Sequence, residues 1–136
     1  MNKAIVWFRN DLRVSDHEPL LKASLAADQV IPVYVLDPRL FQFLTWGFPK
    51  AGRSKIQFLL QSLQALKLEL QHLGSNLKFI LGDPAEELVR LAVQQQAEAI
   101  FTSKELASEE VSIEQKLEKN LWHHHVELQM FQTNYF

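Results

Sequence analysis

The sequence predicts an α/β protein: a Rossmann-like, three-layer αβα sandwich with helices on both faces of a five-stranded parallel sheet. Three observations carry that expectation. Five short apolar runs alternate with stretches of helical period, in the order β-α-β-α-β-α-β-α-β. Several of the runs are nearly continuous in β-branched and aromatic residues, as strands covered on both faces require. The chain has 136 residues and is 47% apolar, which suits one domain with a substantial core.

The elements follow in order. Ala4–Phe8 is the first strand, an apolar run too short for a signal-peptide core or a membrane span. Glu18–Ala27 is helical, carries Leu20, Leu21 and Leu25, and has Asp16 as its expected N-cap. Val30–Leu36 is the second strand. The long connection Asp37–Gly52 follows, and in compact domains such loops are often functional. The longest helix runs from about Arg53 to Leu73. Leu59, Leu63, Leu66, Leu70 and Leu73 recur along it at spacings of three and four, with Phe58 next to Leu59, and Gly74 sits just past its end. Leu77–Leu81, interrupted by Lys78, reads as an edge strand. Asp83-Pro84 then places a cap and a first-turn proline before a helix through Leu88, Leu91 and Ala92. Ala99–Thr102 is the fourth strand. Ser108 opens the last helix, with Val111, Ile113, Leu117 and Leu121 inward. Val126–Phe131 alternates with Glu127 and Gln129, as a second edge strand should.

Charge and composition exclude several functions. The net charge is −2, unlike the basic balance of a free-standing nucleic-acid binder. There are no cysteines, so disulfides, thiolate metal sites and cysteine nucleophiles are ruled out; the expected compartment is the cytoplasm, with no membrane contact. Residues 1–55 hold eight basic and five acidic side chains, whereas residues 56–136 hold six and eleven. The basic excess of the first half is either a solvated rim or a surface facing a partner or an anionic ligand. The four glycines, Gly47, Gly52, Gly74 and Gly82, form neither a dinucleotide fingerprint nor a P-loop, and no Gly-x-Ser-x-Gly elbow is present. His123-His124-His125 reads as a polar turn rather than a metal site, because neighbouring side chains diverge.

Ligands of open parallel sheets sit beyond the carboxyl ends of the strands, near the switch point. That rule selects Arg9–Val14, Asp37–Gly52, Gly82–Asp83, Ser103–Glu110 and Gln132–Phe136. Within these segments Glu109-Glu110 has two readings. It complements the dipole of the helix that Ser108 opens, or it accepts hydrogen bonds from a ligand's amino or amide groups. Trp46 and Phe48 form either a small core under the long loop or a stacking platform for a planar ligand.

Ile5-Val-Trp-Phe-Arg-Asn-Asp-Leu-Arg-Val-Ser-Asp16 resembles the first strand and loop of DNA photolyases and cryptochromes. The likeness continues through Val33–Pro38, Gly47-Phe-Pro-Lys-Ala-Gly52, Gln57–Leu60, Gly82-Asp-Pro84 and Ser108-Glu-Glu-Val111, and so covers the whole chain in order. The Gly-Phe-Pro-Lys-x-Gly and Ser-Glu-Glu-Val pieces are most similar to the cryptochrome-DASH branch.

The resemblance implies a strand order of 3-2-1-4-5 for the N-terminal α/β domain over residues 1–136. It also implies a role as the light-harvesting, antenna-chromophore-binding domain of a flavoprotein active in blue-light-driven DNA repair or photoreception. FAD would belong to a helical domain absent from this chain, acting in cis or in trans; DNA would be contacted only through the full-length, lyase-type protein. The chain alone is expected to have no catalytic residues. The implied antenna is methenyltetrahydrofolate, with a deazaflavin or FMN as other occupants. Glu109 matches the carboxylate that binds the pterin ring, with Ser108 beside it. Arg9, Asn10, Asp37, Lys104 and Glu105 match positions lining a deeper, flavin-type pocket. Leu106-Ala-Ser108 departs from the commonest DASH spelling. The alternative is a stand-alone nucleotide- or small-molecule-binding protein of the same fold.

Overall fold

A computed structural model describes residues 1–39, 49–105 and 108–132, without the side chains of 49–51 and 108–110. The sheet consists of β1 (Lys3–Phe8), β2 (Gln29–Leu36), β3 (Lys78–Leu81), β4 (Ala99–Lys104) and β5 (Glu127–Gln132). All pairings are parallel and the strand order is β3-β2-β1-β4-β5, as the resemblance implied. The two runs expected at the edges, β3 and β5, are the edge strands.

Alternation along the central strands divides the core. Ala4, Val6, Phe8 and Phe101 face one side, where they meet α1 (Glu18–Ala26) through Ala23 and α2 (Pro49–His72) through Leu63, Leu66 and Leu70. Ile5, Trp7 and Ile100 face the other, against Leu88 and Leu91 of α3 (Pro84–Gln95) and Leu117 and Leu121 of α4 (Ser108–Trp122). Phe8, Ile5, Leu66, Leu88, Leu117 and Leu121 are fully buried. Each such side chain contributes about 1.5–3 kcal/mol by leaving water.

The structure departs from the sequence reading in three details. The N-cap of α1 is His17, not Asp16: the His17 Nδ1 accepts from the Leu20 N–H at 3.0 Å, while Asp16 takes a left-handed φ of 51°. A histidine side chain reaches the first-turn amides as a short polar residue does, and here burial against Phe8 holds it there. The second difference is facial. Phe58 and Leu73 are 72% and 66% exposed, and Leu21 and Leu25 of α1 also face outward. Phe58 is one residue from Leu59 and so lies about 100° round the helix from the buried Leu63–Leu66–Leu70 stripe, and Leu73 lies in the turn past the end of α2.

Third, the long helix starts at Pro49, inside the expected loop Asp37–Gly52 and before the expected start near Arg53, with the proline at its first position; its far end matches its sequence signal. Gly74 adopts φ +83°, and the Ser75 N–H donates to Leu70 O at 2.8 Å, closing α2. His123, His124 and His125 form an exposed turn between α4 and β5. Among the described residues, no helix is long and apolar enough to cross a membrane.

Candidate functional site

The strand order reverses between β1 and β4, so their carboxyl ends flank the switch point. Most of the buried polar side chains cluster there: Arg9, Asp11, Ser103, Glu105 and Glu114, with His17 supplied by the start of α1. They form two hydrogen-bonded sets, one on each face of the sheet.

The first set lies on the α4 side. Strand alternation continues past Phe8 and sends Arg9 the same way as Ile5 and Trp7, and its guanidinium stands 4.5 Å from the Trp7 ring centroid. Arg9 Nη1 donates to Glu114 Oε1 at 2.5 Å and to the Ser103 carbonyl at 3.2 Å. The same Glu114 oxygen accepts the Glu105 backbone N–H at 2.9 Å. Asn10 Nδ2 donates to Glu105 Oε1 at 3.3 Å.

The second set lies on the α1 side. Asp11 accepts the Arg9 backbone N–H at 2.9 Å and the Ser103 hydroxyl at 2.6 Å, and forms a short hydrogen bond with His17 Nε2. His17 Nδ1 is already an acceptor, so Nε2 carries the ring proton and donates. Burial pushes the Asp11 carboxyl up, but the His17 and Ser103 hydrogen bonds outweigh it and hold the group below its ordinary value. Asp11, His17 and Ser103 line a cleft of about 440 Å³ that Arg13, Glu18, Phe131 and Gln132 help to close. That volume lies within the range of small-molecule sites, about 300–1,000 Å³.

A third group of charges occupies the β2–β3 part of the same edge. Arg39 donates to both Asp37 oxygens, at 3.0 and 2.6 Å, and holds that carboxyl below its ordinary range. Asp83 lies 3.9 Å from Arg39 and 3.5 Å from Lys116. Arg39 and Lys116 are largely exposed, so these pairs are screened by solvent.

The structure thus brings Arg9, Asn10 and Glu105 together at the switch point, with Lys104 exposed beside them at the end of β4. Asp37 is engaged separately by Arg39. Ser108 and Glu109 begin α4 directly after the β4 connection, but their side chains lie outside the described residues. Trp46 and Phe48 lie wholly outside them.

Sequence reasoning missed Glu114, although a signal was present. Glu114, Leu117 and Leu121 share one helical stripe, and a charge on an apolar stripe signals a buried partner. His17 and Ser103 carried no such signal, because their roles depend on Asp11 arriving from a different strand end.

Comparison with known proteins adds to this geometry. The DNA photolyase family model matches residues 4–136. The blue-light photoreceptor PHR2 of Arabidopsis thaliana is 41% identical over 128 residues, covering 94% of this chain and 29% of that protein. Cryptochrome DASH of Solanum lycopersicum, a chloroplastic/mitochondrial protein, is 42% identical over 119 residues, covering 87% of this chain and 21% of its own length. Among solved structures, a Synechocystis cryptochrome superposes with a TM-score of 0.85 at 35% identity, over 97% of this chain and 27% of that one. An archaeal photolyase from Sulfolobus tokodaii with two FAD molecules gives 0.79 at 26% identity, over 96% and 29%. The chain therefore spans between a fifth and a third of the length of these relatives.

Proposed function

The chain belongs to the DNA photolyase family, and from that premise we propose that it is the chromophore-binding, light-harvesting α/β domain of a photolyase- or cryptochrome-type flavoprotein. One observation supports this reading above others. Buried polar side chains concentrate at the β1/β4 switch point, beside a ligand-sized cleft, where an open parallel sheet presents its ligands. Burying that many polar groups costs stability unless they are fully paired, and here they are paired across β1, β4, α1 and α4.

The residues fit the two antenna chemistries differently. A pterin ring offers an amino group beside a ring N–H, and the Glu109 carboxylate accepts both, with Ser108 adjacent. A flavin or deazaflavin would meet the exposed amide of Asn10, the ammonium of Lys104 and the Asp37 carboxylate. Arg9 and Glu105 are buried and hydrogen-bonded within the protein, so they serve as the wall of such a pocket. The bound pigment supplies light absorption and excitation transfer. The protein's part is to hold it at a fixed position and keep water from its ring. No acid, base or nucleophile is required, and we assign none.

The partner in this reading is a helical flavin-binding domain, in cis or in trans, through which any DNA contact is made. The experiment is titration of the chain with methenyltetrahydrofolate, a deazaflavin, FMN and ATP, followed by absorbance. Saturable pigment binding is expected. Glu109→Gln should weaken folate binding about tenfold, by loss of a charged acceptor, with an unchanged far-UV circular dichroism spectrum. Binding of ATP with none of the pigments would replace this reading by that of a stand-alone nucleotide-binding protein.

A further inference from the structure

Helix α1 is lightly anchored. It is nine residues long and buries only Pro19 and Ala23, while Leu21 and Leu25 face outward. A helix that short is not held by its own hydrogen bonds, so its packing and its ends decide whether it persists. One side chain fastens its start: His17 Nδ1 accepts the Leu20 N–H at 3.0 Å, while Nε2 donates to Asp11. The preceding residue, Asp16, takes a left-handed φ of 51°, a conformation that costs any residue bearing a Cβ. Asp16, His17 and Glu18 also line two hollows. One is the switch-point cleft of about 440 Å³; the other, of about 530 Å³, is completed by Val14, Leu20, Leu21 and Ser24. The first turn of α1 is therefore a thin partition, hinged at Asp16 and fastened at His17.

A proton can undo that fastening. In the neutral ring, Nε2 carries the hydrogen and Nδ1 the lone pair. A second proton has only Nδ1 to go to. There it takes up the lone pair that caps the helix and points a hydrogen at the Leu20 N–H. Asp11 does not oppose the change, because its carboxylate accepts from Nε2 in either state and is the counter-charge for an imidazolium. Its carboxyl is held below the ordinary value, so it stays charged across the range in which histidines titrate, about pH 5–8. Phe8 stacks on the ring, and the Ser103 hydroxyl reaches Asp11 rather than the imidazole. The other charged side chains lining the cleft, Arg13, Asp16 and Glu18, are exposed and screened by solvent. From β5 the cleft receives only the uncharged Phe131 and Gln132.

We propose that His17 is a proton-operated latch on the cleft wall: its bare Nδ1 caps α1, and protonation releases the turn that carries Glu18 and Pro19. The release is selective. The ring stays tied to Asp11 through Nε2, so the strand ends remain joined, and only the first turn of α1 frays for want of a partner at the Leu20 amide. The latch acts on the wall itself and does not depend on which ligand the cleft takes.

The test is an NMR titration from pH 8 to pH 5 of the 136-residue chain and of His17→Asn, since asparagine is a favoured N-cap that does not titrate. Ring-nitrogen shifts report the tautomer and charge of His17. The Leu20 amide shift, and exchange protection at Leu20, Leu21 and Lys22 corrected for the intrinsic pH dependence of exchange, report the cap. At pH 8 the ring is expected to carry hydrogen on Nε2 alone. As Nδ1 gains its proton, the Leu20 shift should move with the same midpoint. Protection at the three amides should then fall about tenfold, while Leu66 and Leu70 of α2 keep theirs. In His17→Asn, protection should stay within about threefold over the whole range.

A ring that remains neutral down to pH 5 overturns the proposal, as does a Leu20 amide that ignores the titration of the ring. An equal loss of protection in His17→Asn overturns it as well, by tracing the response to another group. Ring and amide are both read on the wild-type chain, so the first two outcomes decide even where the variant does not fold.

Discussion

Two charged clusters share the carboxyl edge of this sheet and behave as opposites. At the β1/β4 end, Arg9, Asp11, His17, Ser103 and Glu114 are all less than a tenth exposed, and one carboxylate oxygen of Glu114 serves two donors. At the β2/β3 end, Arg39 forks around Asp37 with equally good distances, yet its side chain is 74% exposed. Good hydrogen-bond geometry is therefore a poor guide to energy. Water screens the second cluster and lets its members exchange partners, whereas the first has no solvent to fall back on. Only the buried network holds its members to one arrangement, because breaking any one of them leaves another unpaired.

The largest effect should come from splitting the buried pair. Arg9→Met strands the Glu114 carboxylate and is expected to destabilise the fold by about 3–5 kcal/mol in urea unfolding. Arg9→Met/Glu114→Leu should recover most of that loss, since apolar replacement of both partners removes the uncompensated charge. A double variant no more stable than the single one would show that the pair is worth far more than its geometry implies.

A smaller effect, with a pH signature, is expected at Asp11. Its folded-state pKa is depressed, by hydrogen bonds that outweigh burial. The carboxylate therefore contributes stability that is complete above the ordinary carboxylate pKa and is lost as the pH falls through that value towards the folded one. Asp11→Asn should cost about 1–3 kcal/mol at neutral pH, by leaving buried donors ill-matched. The difference from wild type should shrink below about pH 4, where the wild-type carboxyl begins to protonate in the unfolded state. A constant difference across that window, measured by urea unfolding at stepped pH, would remove Asp11 from the stabilising network.

The smallest effect belongs to the exposed end. Arg39→Ala should leave the melting temperature unchanged. The Asp37 carboxyl, now held down by its hydrogen bonds from Arg39, should titrate at a higher pH in that variant when followed by NMR. A substantial fall in melting temperature would erase the contrast between the two clusters.

Most of the fold was legible along the chain because it is built from local signals. Strands buried on both faces spell themselves as apolar runs, and Gly74 and Asp83-Pro84 mark helix ends through backbone preferences that need no tertiary context. The strand order came from family likeness, since periodicity alone does not say which strands are neighbours. Side-chain exposure was read less well: Phe58 adjoins the α2 stripe in sequence, but it sits one residue off it and faces outward. At the candidate site, residues within Arg9–Val14 and Ser103–Glu110 could be selected by position. Their pairings could not, because Arg9 and Glu114 are 105 residues apart and Ser103 and Asp11 are 92 apart.

The sequence by itself determined a parallel α/β sheet with its edges at β3 and β5. Each of these follows from residue patterns a few positions long. Only the tertiary structure decided that His17 caps α1, that Arg9 turns inward to Glu114, and that one oxygen joins three elements. Such choices depend on which charges are removed from water together, and that is settled by packing between distant parts of the chain.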